Sequence, residues 1–522
     1  MIENSCYLGV EFGSTRIKGT VLDNHLEVIS NAGYEWKSEI VNHIWTYDLS
    51  EALLGFKDVL NHLNGLDRIA ALGVSGMMHG YLAFDENWNL LTPFRTWQNT
   101  ITEEAAEKLT DLFQFNVPQR WSIAHLYQAI LNNEEHVPRI RHITTLSGYM
   151  HYLLTGVNAV GIGEASGMFP VDGEKHGYNE EMLKKFNEVS ALDLPVESLL
   201  PEVLVAGEYA GRITKRGSAI TGGMLREGIP LAPCEGDAGT GMVATNSVIP
   251  ETGNVSGGTS IFLMAVMDHP LKKVHSEIDV VATPAGNPVA MVHCNNCTTE
   301  TNQWISLFKE LLKLEGIEIE NSKLFEDLYH CSMKGNYPPI SILNYTVGEG
   351  VTHINSGFPL IIRDPGSSLQ LSQFMRAHLF SSIATLAIGM RILKEENVVL
   401  NRLTAHGGIF KTDGVMNLYL ASALQTPVST MRTAGEGGPY GMALLAAYMA
   451  TKQSNESLQE WLEHAAFADC DEKVIKSDPE ITIEFSEYLS HFEQALEVEK
   501  KVLEEGETAR KGTDRFLNNK KR

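Results

Sequence analysis

The chain is short of cysteine, of long apolar segments and of positive charge. Its six cysteines in 522 residues are too few for a disulfide scaffold. None of its apolar runs approaches the roughly 18 residues that a membrane span needs. The first residues carry Glu3 and no basic cluster, which argues against a signal peptide. These absences predict a reduced, cytoplasmic protein without a membrane segment.

Basic residues are outnumbered, since 41 Lys and Arg face 65 Asp and Glu and leave a formal net charge of −24. Nucleic-acid binding depends on a surplus of Lys and Arg, so we expect no nucleic-acid partner. A hydrophobic share of 43% and a charged share of 20% are typical of a globular protein. A chain of 522 residues is longer than one typical domain, so two or more domains are expected.

Two segments far apart in the chain share the pattern of an apolar strand, a glycine turn and a second apolar strand. The first covers residues 7–22 and the second covers residues 254–266. These hairpins predict two similarly built α/β domains, residues 1–250 and 251–480, with the boundary near Pro250, and a C-terminal helix and polar tail over residues 481–522. Helical spacing predicts helices over residues 104–113, 124–132, 374–393 and 486–505, and residues 511–522 are predicted to form a frayed tail.

Three glycine turns are candidates for phosphate binding, because a phosphate cradle needs backbone N–H groups at close range. They are Gly13–Thr15, Gly257–Thr259 and Gly435–Gly438. Gly407 and Gly408 follow a predicted strand and would let a nucleobase or ribose approach the backbone. None of these segments is a Walker A motif or a good Rossmann motif. Taken singly each is more often a plain turn, whereas equivalent positions in two halves of the chain favour a ligand role.

Asp237 lies where a short apolar strand is predicted to give way to a helix of small residues. A carboxylate beside glycines that open space suits a general base that takes a proton from a hydroxyl. An N-cap aspartate without a catalytic role is the alternative, and the pattern is equally consistent with it.

Two loops carry side chains that suit sugar binding. Ser75–Gly80, after a predicted strand, contains His79, and Arg95–Asn99 contains Trp97. An indole face contacts the C–H groups of a sugar and amides bond its hydroxyls, so these loops are candidate sugar-binding segments. The alternative is that His79 and Trp97 belong to the core or its rim.

Cys294 and Cys297 have the spacing of half a zinc site. A zinc site of this kind needs a second pair of ligands, and the chain offers no matching Cys-x-x-Cys. Two buried free thiols are the favoured interpretation.

These segments, in this order, resemble the FGGY family of carbohydrate kinases, and the resemblance runs from Leu8 to about Tyr448. The motifs that carry it are Gly9–Thr15, Ser75–Gly80, Leu154–Gly156, Glu164–Gly167, Gly236–Asp237, Gly257–Ser260, Gly407–Gly408 and Gly437–Ala447. Each motif alone is weak, but the ordered set is specific. The sequences of residues 77–80, 94–97 and 435–438 also resemble those of a ketopentose subgroup of ribulokinases and xylulokinases.

The resemblance implies an α/β fold of two ribonuclease-H-like domains, of the actin and hexokinase superfamily, flanking a central cleft that closes over its ligands. It implies an ATP-dependent sugar kinase in which Asp237 is the catalytic base and Mg²⁺ assists phosphoryl transfer. The implied sugar-binding residues are Met78, His79, Trp97, Asn99 and Asp237. The implied ATP-binding residues are Gly13, Ser14, Thr15, Gly258, Thr259, Gly407 and Gly408, and the implied metal-binding residues are Glu11 and Asp237.

Three residues depart from the family pattern. Glu11 stands where the family usually has Asp, Asn99 replaces a sugar-contacting Asp, and Met77 replaces Gln. The changes at Met77 and Asn99 reduce the polar contacts that side chains of the pocket can make to a sugar. We expect a ketopentose kinase that acts on L-ribulose, with xylulose as the alternative acceptor. An actin-like ATPase and a sugar sensor without kinase activity are the remaining alternatives, and a homodimer is left open.

Overall fold

The structure is a computed structural model that describes residues 5–334, 339–431, 437–468, 470 and 472–519. Its contacts divide the chain into two compact units. The first unit comprises Met1–Gly253, Ala265–Ala290 and Met431–Asp471, and the second comprises Asn254–Met264, Met291–Thr430 and Glu472–Arg522. The continuous domain limits 1–250, 251–480 and 481–522 stay a prediction.

The strands are β1 Cys6–Phe12, β2 Arg16–Leu22, β3 Val28–Glu35, β4 Glu39–Val41, β5 Ile44–Thr46, β6 Ile69–Gly76, β7 Leu82–Phe84, β8 His142–Thr144, β9 Ala159–Gly161, β10 Val171–Asp172, β11 Gly177–Tyr178, β12 Glu202–Leu204, β13 Glu235–Gly236, β14 Thr252–Gly257, β15 Ile261–Val266, β16 Ile278–Ala282, β17 Pro288–Cys294, β18 Ile340–Leu343, β19 Leu360–Arg363, β20 Arg402–His406, β21 Val428–Met431 and β22 Glu472–Ile475.

The α-helices are α1 Leu49–His62, α2 Glu103–Phe113, α3 Ser122–Leu131, α4 Leu146–Thr155, α5 Ile162–Ala165, α6 Glu180–Ser190, α7 Lys215–Ile220, α8 Asp237–Ala244, α9 Thr299–Leu314, α10 Asn321–Ser332, α11 Leu371–Glu395, α12 Met416–Leu424, α13 Gly438–Thr451, α14 Leu458–Trp461 and α15 Pro479–Asn519.

The first unit is built on a five-stranded sheet with the strand order β13-β6-β1-β2-β3. The fully buried β1 pairs antiparallel with β2 and parallel with β6. The register places Phe12 beside Gly76 of β6, and Gly76 beside Gly236 of β13. Because these three parallel strands end in one row, the turn after β1, Met77 and Asp237 all emerge at the same edge of the sheet.

Glycines allow helix α13 to approach β1 and α8 very closely. A Cβ at Gly9 of β1 would overlap the carbonyl oxygen of Pro439, and a Cβ at Gly441 of α13 would overlap the carbonyl oxygen of Thr240 in α8. The missing side chains therefore let backbone pack against backbone at the centre of the first unit. This helix is the glycine-rich segment whose motif closes the resemblance described above.

In the second unit the sheet strands follow the order β17-β15-β14-β20-β21-β22. A core of aromatic rings joins α11, α12 and α15, because Phe380 contacts Tyr419, Phe485 and Tyr488 at ring-centroid distances of 5.1, 5.2 and 5.5 Å. No helix in the described ranges has the length and apolarity needed to cross a membrane.

All four predicted helices are confirmed, as α2, α3, α11 and part of α15. The C-terminal prediction is partly wrong, because α15 begins at Pro479, before residue 486, and continues to Asn519. Residues 511–519 are therefore helical and not a frayed tail. Glutamate, lysine and arginine are good helix formers, so a charged segment extends a helix that has already nucleated. Residues 520–522 lie outside the described part of the chain.

Candidate active site

Asp237 stands in the row of strand ends of the first unit, as the first residue of α8. Its Oδ1 accepts hydrogen bonds from the backbone N–H of Met78 at 3.2 Å and of Ala238 at 3.0 Å. Asp237 is half-buried, so a ligand has access to a carboxylate that two N–H groups hold in place. Since β13 ends at Gly236, the prediction that Asp237 lies between a strand and a helix is confirmed.

The surroundings of Asp237 adjust its basicity. Burial raises the pKa of Asp237 to about 6, and the negative charge of Glu11 adds to the rise. The hydrogen bonds from Met78 and Ala238 lower this pKa, because they stabilise the carboxylate. A pKa just below neutrality leaves Asp237 ionised at pH 7 and still basic enough to accept a proton from a reacting hydroxyl.

Glu11 lies beside Ser75 of β6 near the end of β1 and is 7% exposed. Burial raises the pKa of its carboxyl, and Lys18, whose Nζ lies 3.4 Å from Glu11 Oε1, offsets part of this rise. A Cβ at Gly438, the first residue of α13, would overlap Glu11 Oε2. The carboxylate therefore rests against the positive end of a helix, which favours its ionised form.

Glu11 and Asp237 together fit the ligand chemistry of Mg²⁺. Their negative charges are coupled, because Glu11 raises the pKa of Asp237, and a divalent cation would relieve this repulsion. Within the described ranges no group of three or more His, Cys, Asp or Glu side chains could hold a metal ion by itself. Mg²⁺ commonly takes one or two carboxylates and completes its shell with phosphate oxygens and water. The metal role of these two residues stays a prediction.

Two further acidic side chains, Glu164 and Glu235, are fully buried next to the Gly236 backbone, at 0% and 1% exposure. The backbone N–H of Glu164 donates to Glu235 Oε2 at 2.9 Å, and Ser147 Oγ donates to Glu164 Oε1 at 3.1 Å. Burial raises the pKa of each carboxyl to about 8. Neither residue forms an ion pair with a cation in the described part of the chain, so both carboxyls are mostly protonated at neutral pH.

The sequence reasoning missed this carboxyl pair, because glutamate is usually a surface residue and its burial has no local signature. The one sequence feature that relates to the buried carboxyls is the presence of glycines that pack against them. A Cβ at Gly161 or Gly163 would overlap the carboxyl of Glu235, and a Cβ at Gly236 would lie 2.6 Å from Glu164 Oε2. Glycines at these positions make room for buried carboxyls, which becomes visible only once the strands are assembled.

The predicted sugar-binding residues Met78 and His79 are both buried, at 7% and 6% exposure. His79 has a positive φ of 72°, and its Nδ1 lies 3.1 Å from the carbonyl oxygen of Gly167. Its ring stacks on Trp121 with a centroid distance of 6.4 Å. A strained backbone and a fixed ring are typical of positions held for function, and the sugar contact itself stays a prediction.

Asn99 uses its side-chain amide for backbone contacts. Its Oδ1 accepts from the N–H of Trp45 at 2.9 Å, and its Nδ2 donates to the carbonyl oxygens of Trp45 at 2.8 Å and Thr96 at 3.0 Å. A sugar hydroxyl would therefore have to displace one of these hydrogen bonds. Trp97, by contrast, is 39% exposed, and its Nε1 donates to Ser14 Oγ at 3.2 Å.

The predicted ATP-binding residues Gly13, Ser14 and Thr15 form the turn between β1 and β2. The N–H of Gly13 donates to the carbonyl oxygen of Arg16 at 3.0 Å and closes the turn. A Cβ at Gly13 would lie 3.1 Å from both Arg16 O and Glu11 Oε1. The turn thus lies directly beside the Glu11 carboxylate.

The second unit brings the other predicted ATP-binding residues together. Gly407 has a φ of +101°, and a Cβ there would overlap the carbonyl oxygen of Gly257, so the turn after β14 and the loop after β20 touch through their backbones. A Cβ at Gly258 or Gly408 would meet no atom within 4 Å. These two glycines therefore border open space that a flat or anionic ligand could enter. Thr259 lies in the same turn as Gly258.

Cys294 and Cys297 are free, buried thiols, as expected. The backbone N–H of Cys297 donates to the carbonyl oxygen of Thr259 at 3.0 Å, and Thr298 bonds the carbonyl oxygen of Gly258 through its N–H at 3.2 Å and its hydroxyl at 2.8 Å. The segment that contains the two cysteines therefore supports the glycine turn.

The third predicted phosphate cradle is only partly visible. Gly435 and Glu436 lie outside the described residues. Gly437 and Gly438 precede and begin helix α13.

A carboxylate at a row of parallel strand ends, and a glycine turn in each of the two units, are features that a sugar kinase needs to take a proton from a hydroxyl and to bind phosphate. Residues 6–244 match the N-terminal domain of the FGGY family of carbohydrate kinases, and residues 253–450 match the C-terminal domain of that family. The chain belongs to the FGGY family of carbohydrate kinases.

Individual relatives are distant. The chain is similar to a xylulose kinase of Haemophilus influenzae, with 24% identity over 468 residues that cover 83% of this chain and 91% of the relative. Among solved structures it is similar to a ligand-bound xylulose kinase from Lactobacillus acidophilus, at 15% identity and a TM-score of 0.78, covering 95% of this chain and 98% of the other. A gluconate kinase from Lactobacillus acidophilus gives 15% identity and a TM-score of 0.79 over the same shares, 95% and 98%. The structural likenesses show that this chain shares the fold of these kinases.

Proposed function

We propose that this sugar kinase transfers the γ-phosphoryl group of ATP to the terminal hydroxyl of a ketopentose, with D-xylulose as the acceptor. The observation that carries the proposal is Asp237, a half-buried carboxylate with a pKa of about 6. Two backbone N–H groups orient it at an accessible sheet edge. An assembly ATPase or a sugar sensor needs no base at this position.

In the proposed reaction Asp237 accepts the proton of the sugar hydroxyl as that oxygen bonds to the γ-phosphorus and the bond to the ADP oxygen breaks. Backbone N–H groups at Ser14, Thr15 and Thr259 would bind phosphate oxygens, Gly258 would leave space for the phosphates, since its own N–H donates to Ser260 O, and Gly407 and Gly408 would border the adenosine. Glu11 and Asp237 would hold Mg²⁺, which would supply positive charge to the transferring phosphoryl group. Sugar binding would fall to Met78, His79 and Trp97.

The choice of D-xylulose over L-ribulose rests on two supports. The relative from Haemophilus influenzae is named a xylulose kinase. The departures at Met77 and Asn99, which we expected to change the sugar pocket, give no reason to prefer L-ribulose, because Met77 is 1% exposed and the Asn99 amide is bonded to the backbone. L-Ribulose remains the alternative acceptor. A cytoplasmic location and a homodimer stay predictions.

The test is ADP release from ATP and Mg²⁺ with a panel of D-xylulose, L-xylulose, D-ribulose, L-ribulose, glycerol and D-gluconate. D-Xylulose should give the highest kcat/KM, and discrimination against each epimer should be about 10- to 200-fold, the effect of one stranded polar group. A preference for L-ribulose would change the proposed acceptor sugar and leave the proposed kinase activity standing. A panel in which no sugar raises ADP release above the sugar-free rate would contradict the proposed function.

A further inference from the structure

The turn between β1 and β2 is held from outside by three aromatic side chains, Trp36, Tyr47 and Trp97. Trp36 Nε1 donates to the carbonyl oxygen of Gly13 at 2.7 Å, and the Tyr47 hydroxyl donates to the carbonyl oxygen of Ser14 at 2.7 Å. Trp97 Nε1 donates to Ser14 Oγ at 3.2 Å. The carbonyl oxygens, which would repel a phosphate, are thus bonded to aromatic donors.

The same arrangement leaves the donors of the turn available. Within the described ranges the N–H groups of Ser14 and Thr15 donate to no protein atom. The Ser14 hydroxyl accepts from Trp97 Nε1 and its side chain is also hydrogen-bonded to Tyr47, so its proton reaches a phosphate oxygen by exchanging the Tyr47 partner for the phosphate. A hydrogen bond received by a hydroxyl also strengthens the one that it donates.

The three aromatic side chains differ in exposure. Trp36 and Tyr47 are 5% and 3% exposed, and their rings lie 4.4 Å apart, whereas Trp97 is 39% exposed. The turn that carries Trp97 is tied to β5 by the backbone bonds of Asn99 described above, and Tyr47 follows β5 directly. The indole ring of Trp97 is therefore accessible, its backbone is held in place by the bonds of Asn99, and its Nε1 is hydrogen-bonded to Ser14.

We propose that Trp97 is a positioning residue that couples the acceptor sugar to the nucleotide phosphates through the Ser14 hydroxyl. The inference rests on the proposed function. A sugar that packs on the indole face would restrict the ring and strengthen the bond of Nε1 to Ser14 Oγ. The Ser14 proton is then directed towards a phosphate oxygen. Because coupling between two ligands is reciprocal, bound nucleotide must raise the affinity for sugar by the same factor.

The experiment measures that factor by calorimetry, as the ratio of sugar dissociation constants without and with β,γ-imido-ATP and Mg²⁺. The sugar is the one that gives the highest ADP release in the panel, expected to be D-xylulose. In the wild-type chain the factor should be about three- to tenfold, the effect of one hydrogen bond. Ser14→Ala and Trp97→Phe should each bring it close to one. The double variant should show no further loss, because both changes break the same bond.

Two control variants separate coupling from general damage. Ser14→Thr keeps a hydroxyl and should retain the factor. Trp36→Phe removes the bond to the Gly13 carbonyl and does not touch the Ser14 hydroxyl, so it should weaken nucleotide binding and leave the factor unchanged. Wild-type-like coupling in Ser14→Ala, or no coupling in the wild-type chain, would overturn the inference. The proposed kinase activity would still be supported if a sugar stimulates ADP release. A lower sugar affinity in Trp97→Phe with unchanged coupling would reduce Trp97 to a sugar contact. If no sugar raises ADP release above the sugar-free rate, the proposed function is wrong, and this inference is wrong with it.

Discussion

The two glycine turns of this protein are held in different ways. The turn of the first unit, Gly13–Thr15, has its oxygens bonded by the side chains of Trp36, Tyr47 and Trp97. The turn of the second unit, Gly257–Thr259, is bonded by the backbone N–H groups of Cys297 and Thr298 and by the Thr298 hydroxyl. Apart from the backbone bonds of Gly13 to Arg16 and of Trp36 to Thr15, the first turn is held by side chains, whereas the second is held mainly by backbone.

This difference extends to the chemistry around each turn. The first turn lies beside Glu11 and at the sheet edge that carries Asp237. The second contacts Gly407 through its backbone and borders open space at Gly258 and Gly408. The first turn therefore has titratable side chains beside it, whereas the second has glycines that leave space open. Substitutions should therefore act differently in the two places.

The largest effect is expected at the first unit's carboxylate. Asp237→Asn keeps the size and polarity of the side chain but cannot take a proton, so kcat should fall by about two to four orders of magnitude. The dissociation constants of sugar and ATP, measured by calorimetry, should change far less. Asp172→Asn, a matched change in the β10–β11 hairpin, serves as the control. Near-normal turnover of the Asp237 variant would show that the base lies elsewhere.

A smaller effect is expected from a methyl group in the second unit. Gly407→Ala forces a side chain into a φ of +101° and against the Gly257 carbonyl. The free energy of unfolding, measured with a chemical denaturant, should fall by about 1–3 kcal/mol. The neighbouring Gly408→Ala places its Cβ in open space, so stability should hold within about 0.5 kcal/mol while the affinity for ATP falls. Equal stability losses in both variants would contradict the backbone-contact interpretation.

The remaining prediction is a change of stability with pH, and it concerns the buried carboxyl pair of the first unit. Burial raises the pKa of Glu164 from 4.5 to about 8, so the folded chain holds a proton that the unfolded chain releases. This contribution to stability is complete below about pH 4.5 and is lost as the pH rises to about 8. The loss amounts to about 1.4 kcal/mol per pH unit for one group.

Glu164→Gln imitates the protonated side chain and should remove this pH dependence. The free energy of unfolding of the variant, relative to wild type, should therefore increase from pH 5 to pH 8. The exposed Glu188→Gln serves as the control and should follow the wild-type curve. Parallel curves for wild type and Glu164→Gln would mean that Glu164 is ionised in the folded protein.

The sequence alone determined the features that depend on local chemistry. The glycine turns, the strand that ends before Asp237 and the helices α2, α3 and α11 were all predicted, because turns, breaks and periodicity are written in neighbouring residues. The ordered set of motifs also predicted the family. The extent of α15 was missed, since helix propagation into a charged tail leaves no boundary signal.

The tertiary structure alone decided what depends on contacts between distant parts of the chain. Trp97 and Ser14 are 83 positions apart, and Glu164 and Glu235 are 71 apart, yet each pair is joined by a hydrogen bond. Asn99 was predicted to contact sugar, and only the structure shows that its amide also bonds the backbone of Trp45; the sugar contact stays a prediction. Strand register brings such residues together, and register is set by the packing of whole strands and helices. A local pattern identifies a residue's type, but its partners are fixed only when the sheet is assembled.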